Sequence, residues 1–139
     1  MLNNISEPLR VLLVEDNEYN QILFKCYLQF EPDKEKPHHV DIAANGKEGV
    51  KMYQDNDYDI VFMDLEMPIM DGYDATRMIR EHEMAKGMHP VPVVVVTAHA
   101  TTAHESSSLE AGCSDFIVKP ISKKDVLGAI EKHASPEAA

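Results

Sequence analysis

The sequence predicts a single α/β domain built on a parallel β-sheet with helices on both of its faces. Two observations carry this prediction: five short apolar runs alternate along the chain with stretches of helical periodicity, and the runs are apolar throughout rather than at every second residue. With 139 residues, 44% of them hydrophobic, the chain is long enough to bury one core. We find no repeat and no second domain in the sequence, so residues 1–139 are expected to form one domain with its core at about 9–133 and short flexible tails.

The five apolar runs are each four to six residues long, which is the usual length of a buried strand. The predicted strands are 9–14, 40–44, 59–64, 91–96 and 115–118. Pro92 lies near the start of the fourth run, where a missing backbone N–H is tolerated. The polar segment 31–39, with two prolines, predicts a loop between the first helix and the second strand.

The first three helices are predicted from their caps and their apolar spacing. Asn17 caps the first helix, whose apolar stripe is Tyr19, Leu23, Cys26, Tyr27 and Phe30. Asn45 and Glu48 have the spacing of a capping box and open a short second helix that ends near residue 55. The third helix is predicted at 73–84, with Ala75, Ile79 and His82 on one side.

The last two helices are predicted in the same way. Thr102 and Glu105 cap a fourth helix, rich in serine, that ends at Gly112. Ser122 and Asp125 open a fifth helix, whose inward residues are expected to be Val126, Leu127 and Ile130. The pairs Met67-Pro68 and Asp71-Gly72 predict a shaped turn after the third strand, with the glycine at positive φ.

Charge and composition exclude several classes of function. A formal net charge of −11 argues against direct binding of nucleic acid, because the phosphates would repel the protein. No apolar run approaches the roughly 20 residues of a membrane span, and the first residues lack the apolar segment of a signal peptide. Cys26 and Cys113 have no metal-ligand spacing and are expected to be reduced, as in a cytoplasmic protein.

Polar side chains follow the predicted strands where four of the five end. They are Glu15 and Asp16 after the first strand, Asp64 at the end of the third, Thr97 after the fourth and Lys119 after the fifth. Each has an ordinary structural explanation by itself, such as an acid near a helix N-terminus. Because parallel sheets bind ligands at the carboxyl ends of their strands, we expect these side chains to converge.

Three carboxylates at one edge repel each other unless a cation compensates them. An all-oxygen set of this kind suits Mg²⁺, which works together with phosphate oxygens. A carboxylate such as that of Asp64 can act as a nucleophile towards phosphorus, while an ammonium and a hydroxyl stabilise the phosphoryl oxygens. The pattern therefore predicts phosphoryl transfer to Asp64.

Four segments, in this order, resemble the receiver domains of two-component response regulators. They are VLLVEDNEYN, DIVFMDLEMPIMDG, VVVVTAHA and DFIVKPIS, and the resemblance extends over nearly the whole chain. It implies a flavodoxin-like (βα)5 fold with strand order 2-1-3-4-5. It also implies a phosphorelay role in which Asp64 is phosphorylated by a sensor histidine kinase or a histidine phosphotransfer protein. Such a domain catalyses its own phosphorylation and dephosphorylation but serves mainly as a signalling switch.

The resemblance also implies roles for individual residues. Glu15, Asp16, Asp64 and the backbone carbonyl of Glu66 would hold Mg²⁺. Thr97 and Lys119 would contact the phosphoryl oxygens, and Thr97 with Phe116 would form the switch, the hydroxyl moving inward on phosphorylation. Glu66 and His99 are candidates for tuning the phosphoryl lifetime. An output partner is expected on the face of the fourth helix, fifth strand and fifth helix.

Other interpretations of the sequence remain open. A hydrolase of the haloacid-dehalogenase kind also uses an aspartyl phosphate, but it needs an aspartic acid two residues after the nucleophile, where this chain has Glu66. A receiver-like interaction module that is never phosphorylated would have lost one of the key residues, and none is missing. A nucleotide-binding protein is disfavoured because no glycine-rich phosphate loop is present. The VEDN segment is common in receivers of hybrid sensor kinases, so the chain is either independent or part of a longer protein.

Overall fold

A computed structural model of the protein describes residues 8–29, 37–98 and 110–134. Within these ranges, strands and helices alternate along the chain. The strands are β1 (Arg10–Val14), β2 (His39–Ala43), β3 (Ile60–Asp64), β4 (Val93–Thr97) and β5 (Asp115–Val118). The helices are α1 (Glu18–Gln29), α2 (Gly46–Asp55), α3 (Gly72–Lys86) and α4 (Lys123–His133). All five predicted strands are confirmed to within two residues at either end.

The strands form one parallel sheet in the order β2-β1-β3-β4-β5, as the sequence resemblance implied. The register brings the strand ends together: Val14 pairs with Ala43 and Met63, and Thr97 pairs with Val118. Because all strands run in the same direction, the residues that follow them meet at one edge of the sheet. The fold class is therefore confirmed, and the edge is where a site is expected.

Both faces of the sheet are buried, which explains why the strands are apolar throughout. Val11 and Leu13 point to the face that α1 and α4 cover, where Phe24 and Phe62 have ring centroids 5.3 Å apart. Alternate residues of the same strands, such as Leu12, point to the opposite face, which α2 and α3 cover. Neither face of β1, β3 or β4 is exposed to solvent. Polar and apolar residues therefore do not alternate along these strands, as they do in a half-exposed strand.

Side-chain caps fix where the helices begin. Asn45 Oδ1 accepts a hydrogen bond from the Glu48 N–H at 2.8 Å, and Ser122 Oγ accepts one from the Asp125 N–H at 3.1 Å, both as predicted. The Asn17 carboxamide likewise accepts from the backbone of the first turn of α1. These bonds satisfy backbone donors that have no partner within the helix.

The predicted stripe of α1 is wrong in part. Phe24 and Leu28 are the buried residues of this helix, whereas Tyr19 is 71% exposed and Cys26 is exposed. The helix carries two overlapping apolar stripes, and the position of the sheet and α4 decides which stripe is buried. Leu23 and Tyr27 pack at the margin of the core. Phe30 lies outside the described residues.

Two other helix predictions have different outcomes. In α3, Ala75 and Ile79 are buried as predicted, while His82 is only partly buried. In α4, Val126 and Ile130 are buried and Leu127 is partly buried.

Most of the predicted fourth helix lies outside the described residues, as does most of the predicted loop 31–39. Residues 110 and 111 are helical, and Gly112 follows with φ 97°. A glycine in the left-handed region is a common helix end, as expected for this position. Among the described helices, none is both long enough and apolar enough to span a bilayer.

Candidate functional site

The structure brings three predicted acids together at the carboxyl edge of the sheet. Oxygen atoms of Glu15, Asp16 and Asp64 lie within 4.8 Å of one another. Glu15 and Asp64 are each 1% exposed, whereas Asp16 is exposed. The cluster therefore consists of two buried carboxylates beneath one that faces solvent.

Glu15 is held in place because the chain continues the strand geometry beyond β1. Its N–H donates to the Ala43 carbonyl at 2.9 Å, so the residue is fixed against the end of β2. Its Oε2 accepts a hydrogen bond from the Asn17 N–H at 3.1 Å, and the Gln21 amide donates to its carbonyl at 2.6 Å. The start of α1 thus locks the carboxylate towards the edge.

Asp64 is fixed in a similar way at the end of β3. Its Oδ1 accepts hydrogen bonds from the Glu66 N–H at 3.1 Å and from Lys119 Nζ at 3.2 Å. Lys119 follows β5, and its own N–H donates to the Thr97 carbonyl at 2.7 Å, which extends the β4–β5 pairing. This register brings Asp64 and Lys119 to the strand end where Thr97 lies, as the sequence predicted.

The turn after β3 approaches the backbone of Asp64 closely. A Cβ atom on Gly72 would lie 2.6 Å from the Asp64 carbonyl oxygen, so only glycine fits there. Gly72 is not at positive φ, which corrects the sequence prediction; Asp71 caps α3 and Gly72 is its first residue. The positive φ of this turn belongs to Ile69, at 74°. The turn is shaped as predicted, but close packing rather than φ requires the glycine.

The electrostatics of the acidic cluster are unfavourable in the ion-free protein. Burial, together with the neighbouring charge of Asp64, raises the pKa of Glu15 to about 7. Burial also raises the pKa of Asp64, although its interactions with Glu15 and then Lys119 oppose the change. Burial disfavours the Lys119 ammonium, but the Asp64 carboxylate outweighs this effect and raises its pKa. One lysine therefore does not neutralise the cluster.

Two carboxylate oxygens of the cluster, Glu15 Oε1 and Asp64 Oδ2, are buried and make no hydrogen bond within the described part of the chain. Buried polar atoms without a partner are costly, so a ligand is expected to satisfy them. The donor set is all oxygen, and one member, Asp16, faces solvent. This set fits Mg²⁺, which prefers carboxylate oxygens and keeps several waters.

The Glu66 side chain makes contacts that the sequence did not predict. Thr97 Oγ1 donates to Glu66 Oε2 at 3.1 Å, and the Ala98 N–H donates to Glu66 Oε1 at 3.0 Å. Phe116, the predicted switch residue, is half-buried and packs against the small cluster that contains Leu65. His99 lies outside the described residues.

Three apolar side chains that flank the acidic cluster along the chain are exposed, which the sequence did not predict. Tyr19 and Ile22 lie in the first turns of α1, which begins just after Asp16, and both are exposed. Ile69, in the turn after Asp64, is 78% exposed. In the sequence, Ile69 could have been noticed as an apolar residue between a proline and a glycine of a turn, where polar residues are usual.

Comparison with known protein families identifies the family to which the sequence is similar. The profile of the family described as "Response regulator receiver domain" matches residues 11–131. The chain is 40% identical over 129 residues to hybrid signal transduction histidine kinase G of Dictyostelium discoideum, covering 92% of this chain and 4% of that protein. It is 36% identical over 127 residues to the sensor histidine kinase GacS of Pseudomonas protegens, covering 91% of this chain and 13% of that protein. The chain thus spans a small part of these relatives.

Comparison with solved structures also finds receiver domains that are similar to this chain. The receiver domain of Ssk1 from Saccharomyces cerevisiae, solved in complex with the histidine phosphotransfer protein Ypd1, matches with a TM-score of 0.84 at 27% identity, over 94% of this chain and 91% of that one. The receiver domain of the sensor histidine kinase PA1611 from Pseudomonas aeruginosa, solved with magnesium in its active-site cleft, matches with a TM-score of 0.76 at 29% identity, over 92% and 98%. The chemotaxis protein CheY4 of Vibrio cholerae matches at 20% identity with a TM-score of 0.78, over 91% and 99%, and shows the fold alone.

Proposed function

Because the chain belongs to the response regulator receiver domain family, we propose that Asp64 is its phosphoacceptor and that a phosphohistidine is the donor. The observation that carries this proposal is the Asp64 carboxylate itself. Its Oδ1 is held by Lys119 and by the Glu66 N–H, while its Oδ2 has no hydrogen-bond partner among the described residues. One oxygen is oriented and the other is available as a nucleophile.

The residues around Asp64 support an in-line transfer. An Asp64 oxygen forms a bond to phosphorus while the phosphorus–nitrogen bond of the phosphohistidine breaks, and the released imidazole nitrogen takes up a proton. Lys119 and Thr97 lie at the same edge and are proposed to bind the phosphoryl oxygens. Their ammonium and hydroxyl donors stabilise negative charge where it develops. Hydrolysis of the aspartyl phosphate would later return the free carboxylate.

Mg²⁺ is proposed as the cofactor, held by Glu15, Asp16, Asp64 and the backbone carbonyl of Glu66. When bound, the ion would neutralise the acidic cluster and the incoming phosphoryl oxygens. The buried Glu15 Oε1, which has no hydrogen-bond partner among the described residues, and the approach of the three carboxylates to within 4.8 Å support this assignment. So does the likeness to the PA1611 receiver, whose structure contains magnesium in its cleft.

The proposed donor is a sensor histidine kinase or a histidine phosphotransfer protein. The likeness to the Ssk1 receiver, solved with Ypd1, supports a phosphotransfer protein. Tyr19 and Ile22 follow Asp16 closely in the sequence, and Ile69 lies in the turn after Asp64. Their exposed side chains offer apolar contact area for such a donor. We also propose that the protein is cytoplasmic and that residues 1–139 form one domain, both of which were expected from the sequence.

An output partner is proposed on the face that includes β5 and α4. A groove of about 380 Å³ lies between these elements, lined by apolar residues and by charged ones of both signs. Its lining includes Phe116, Val118, Ala129, Asp115 and Lys132. The predicted serine-rich helix would complete this face, but it lies outside the described residues.

The hydrolase interpretation has little support from the geometry. A general acid two residues after the nucleophile would have to be protonated and to donate. Glu66 instead accepts hydrogen bonds with both of its oxygens, from the Thr97 hydroxyl and from the Ala98 N–H. The family match over residues 11–131 also favours the receiver.

Phosphorylation by a small donor tests the proposal directly. The protein is incubated with acetyl phosphate and Mg²⁺, and mass spectrometry locates the added phosphoryl group. We expect one phosphoryl group on Asp64, none in Asp64→Asn, and unchanged labelling in Asp55→Asn, a control at the exposed end of α2. Equal labelling of Asp64→Asn and the unmodified protein would refute the assignment, and labelling that survives a chelator would refute the metal role.

A further inference from the structure

The carboxylate of Glu66 binds two donors at the end of β4. One is the Thr97 hydroxyl, at 3.1 Å from Oε2, and the other is the Ala98 N–H, at 3.0 Å from Oε1. The backbone N–H of Glu66 donates to Asp64 Oδ1 at 3.1 Å. A single residue therefore contacts the proposed phosphoacceptor through its backbone and the two β4 donors through its side chain.

The chemistry of this contact resembles that of a bound phosphoryl group. A carboxylate presents two negatively charged oxygens on one atom, and a phosphoryl group presents three. A hydroxyl and a backbone N–H, both at the carboxyl edge of the sheet, are the kind of donors that bind such oxygens. Glu66 thus binds, from within the chain, two donors at the end of β4, the strand that pairs with the one ending in Asp64.

We propose that the Glu66 carboxylate occupies the place of the phosphoryl oxygens in the unphosphorylated protein and must be displaced from Thr97 and Ala98 when Asp64 is modified. The inference rests on the proposed function and deepens it. Thr97 would then exchange one acceptor for another, since its hydroxyl already donates to Glu66. The expected inward movement of the Thr97 hydroxyl on phosphorylation would then be a movement from Glu66 to the phosphoryl oxygens.

The negative charge of Glu66, like its two hydrogen bonds, opposes the binding of an anion. The residue adds a negative charge to an edge that already holds Glu15 and Asp64. Its carboxylate also contributes to the raised pKa of Lys119, although less than those of Asp64 and Glu15. An incoming anion has to overcome this repulsion as well as the two hydrogen bonds. Glu66 is accordingly a positioning residue that makes anion binding harder.

A purely structural role predicts the opposite result. If Glu66 only anchored the turn after β3 to β4, its replacement would loosen the site and weaken the binding of an anion. If Glu66 occupies the place of the phosphoryl oxygens, its replacement removes a competing carboxylate from Thr97 and Ala98 and strengthens the binding of an anion. The sign of the change in anion affinity therefore separates the two roles.

Titration with beryllofluoride in the presence of Mg²⁺ measures this affinity, because BeF₃ mimics a phosphoryl group on Asp64. The Ala98 amide resonance of the ¹⁵N-labelled full chain reports binding. We expect Glu66→Gln to lower the concentration at half-saturation about tenfold, which corresponds to about 1.4 kcal/mol. Glu81→Gln, which removes the same charge at an exposed position of α3, should change it less than twofold.

Two further measurements separate contact from charge. Glu66→Asp keeps the charge but shortens the reach, so it should also tighten binding, by several-fold. In the ligand-free protein, Glu66→Ala should shift the Ala98 amide resonance, because that N–H loses its carboxylate partner. Each variant is checked by thermal unfolding to be folded at the titration temperature.

The outcomes are distinguishable from failure of the proposed function. If the unmodified protein binds beryllofluoride and is labelled on Asp64, but Glu66→Gln behaves like Glu81→Gln or binds more weakly, the inference is wrong and the function stands. An Ala98 resonance that is the same in ligand-free Glu66→Ala and the unmodified protein would also overturn it. If the unmodified protein is not labelled and does not bind beryllofluoride, both the inference about Glu66 and the proposed function are wrong.

Discussion

Glu15 and Asp64 are buried carboxylates that lie side by side, an arrangement that destabilises a folded protein unless a ligand or a proton compensates it. Burial and the charge of Asp64 raise the pKa of Glu15 from 4.5 to about 7. The folded state therefore holds a proton over a pH range where the unfolded state has released it. The stability of the ion-free protein depends on pH for this reason.

The sign of the dependence follows from proton binding. Between pH 4.5 and about 7 the folded protein binds more protons at Glu15 than the unfolded chain does, so stability falls as the pH rises. We expect the free energy of unfolding, measured with urea in a chelator, to be about 2 kcal/mol lower at pH 8 than at pH 5.5 as a result of this residue.

Glu15→Gln provides the control for this prediction, because it removes the titration and retains the shape. All other titratable groups are the same in the two proteins, so the difference between the variant and the unmodified protein isolates Glu15. We expect the variant to be the more stable protein at pH 8. Equal slopes of stability against pH in both proteins would contradict the prediction.

Asp64→Asn should increase the stability of the ion-free protein at neutral pH. The amide removes one of two adjacent buried charges, and with it the repulsion that raises the pKa of Glu15. We expect a gain of about 1–3 kcal/mol in the free energy of unfolding. The loss of the Lys119 contact opposes the gain, so Lys119→Met serves as the comparison and should be destabilised. A less stable Asp64→Asn would show that the ion pair outweighs the repulsion.

At the scale of elements, the first residue of α3 controls the position of the phosphoacceptor strand. A Cβ on Gly72 would lie 2.6 Å from the Asp64 carbonyl oxygen, so Gly72→Ala has to push α3 away from β3. We expect a loss of at least about 2 kcal/mol of stability, together with slower phosphorylation of Asp64. Thermal unfolding and labelling by acetyl phosphate measure the two effects.

Gly128→Ala is the matched control for this substitution. Gly128 lies inside α4, and a Cβ built there meets no atom within 4 Å. Alanine is the better helix former, so this variant should gain about 0.5–1 kcal/mol. If both variants changed stability equally, close packing against Asp64 would not be the reason for Gly72.

A buried network joins α2, α3 and the entry to β4. The Glu83 carboxylate, 2% exposed, accepts hydrogen bonds from the Tyr53 hydroxyl at 2.6 Å and from the Val91 N–H at 2.7 Å. Arg80 donates to the same carboxylate at 2.8 Å and to the Gly112 carbonyl at 2.9 Å. The network therefore also fixes the end of the segment that leads into β5.

Tyr53→Phe should weaken this network. The substitution removes one donor to a buried carboxylate and leaves its ring contacts in place, so we expect a loss of about 1–3 kcal/mol in the free energy of unfolding. Tyr19→Phe removes a hydroxyl from a side chain that is 71% exposed and should change stability by less than about 0.5 kcal/mol. Urea unfolding of both variants at pH 7 tests this difference.

For the whole molecule, the net charge of −11 and the acidic edge together predict that Mg²⁺ stabilises the fold. An ion that binds only the folded state adds about 2.7 kcal/mol when its concentration is 100 times its dissociation constant. Asp16→Asn, which removes the exposed acid of the cluster, should reduce this gain. The midpoint of thermal unfolding is compared in MgCl₂ and in NaCl of equal ionic strength, so that general screening is subtracted. An equal midpoint in the two salts would refute a specific site.

Much of the fold and of the site could be predicted from the sequence, because both depend on short-range patterns. Strands that are buried on both faces are apolar throughout, so β1, β3 and β4 stand out as continuous runs. Parallel strands place the residues that follow them at one edge. The convergence of Glu15, Asp64 and Lys119 is therefore a consequence of strand order and direction, which the sequence pattern and the family resemblance supplied.

What only the tertiary structure decided depends on contacts between distant segments. Both apolar stripes of α1 satisfy helical periodicity, and burial of Phe24 rather than Tyr19 was decided by where the sheet and α4 lie. The contact of Glu66 with Thr97 joins residues 31 positions apart, and no periodicity signals it. Gly72 looked like a turn residue, but the requirement for glycine comes from a carbonyl oxygen 2.6 Å from its missing Cβ. Local sequence specifies which element forms, whereas the side chains that meet across elements are set by the packing of the whole chain.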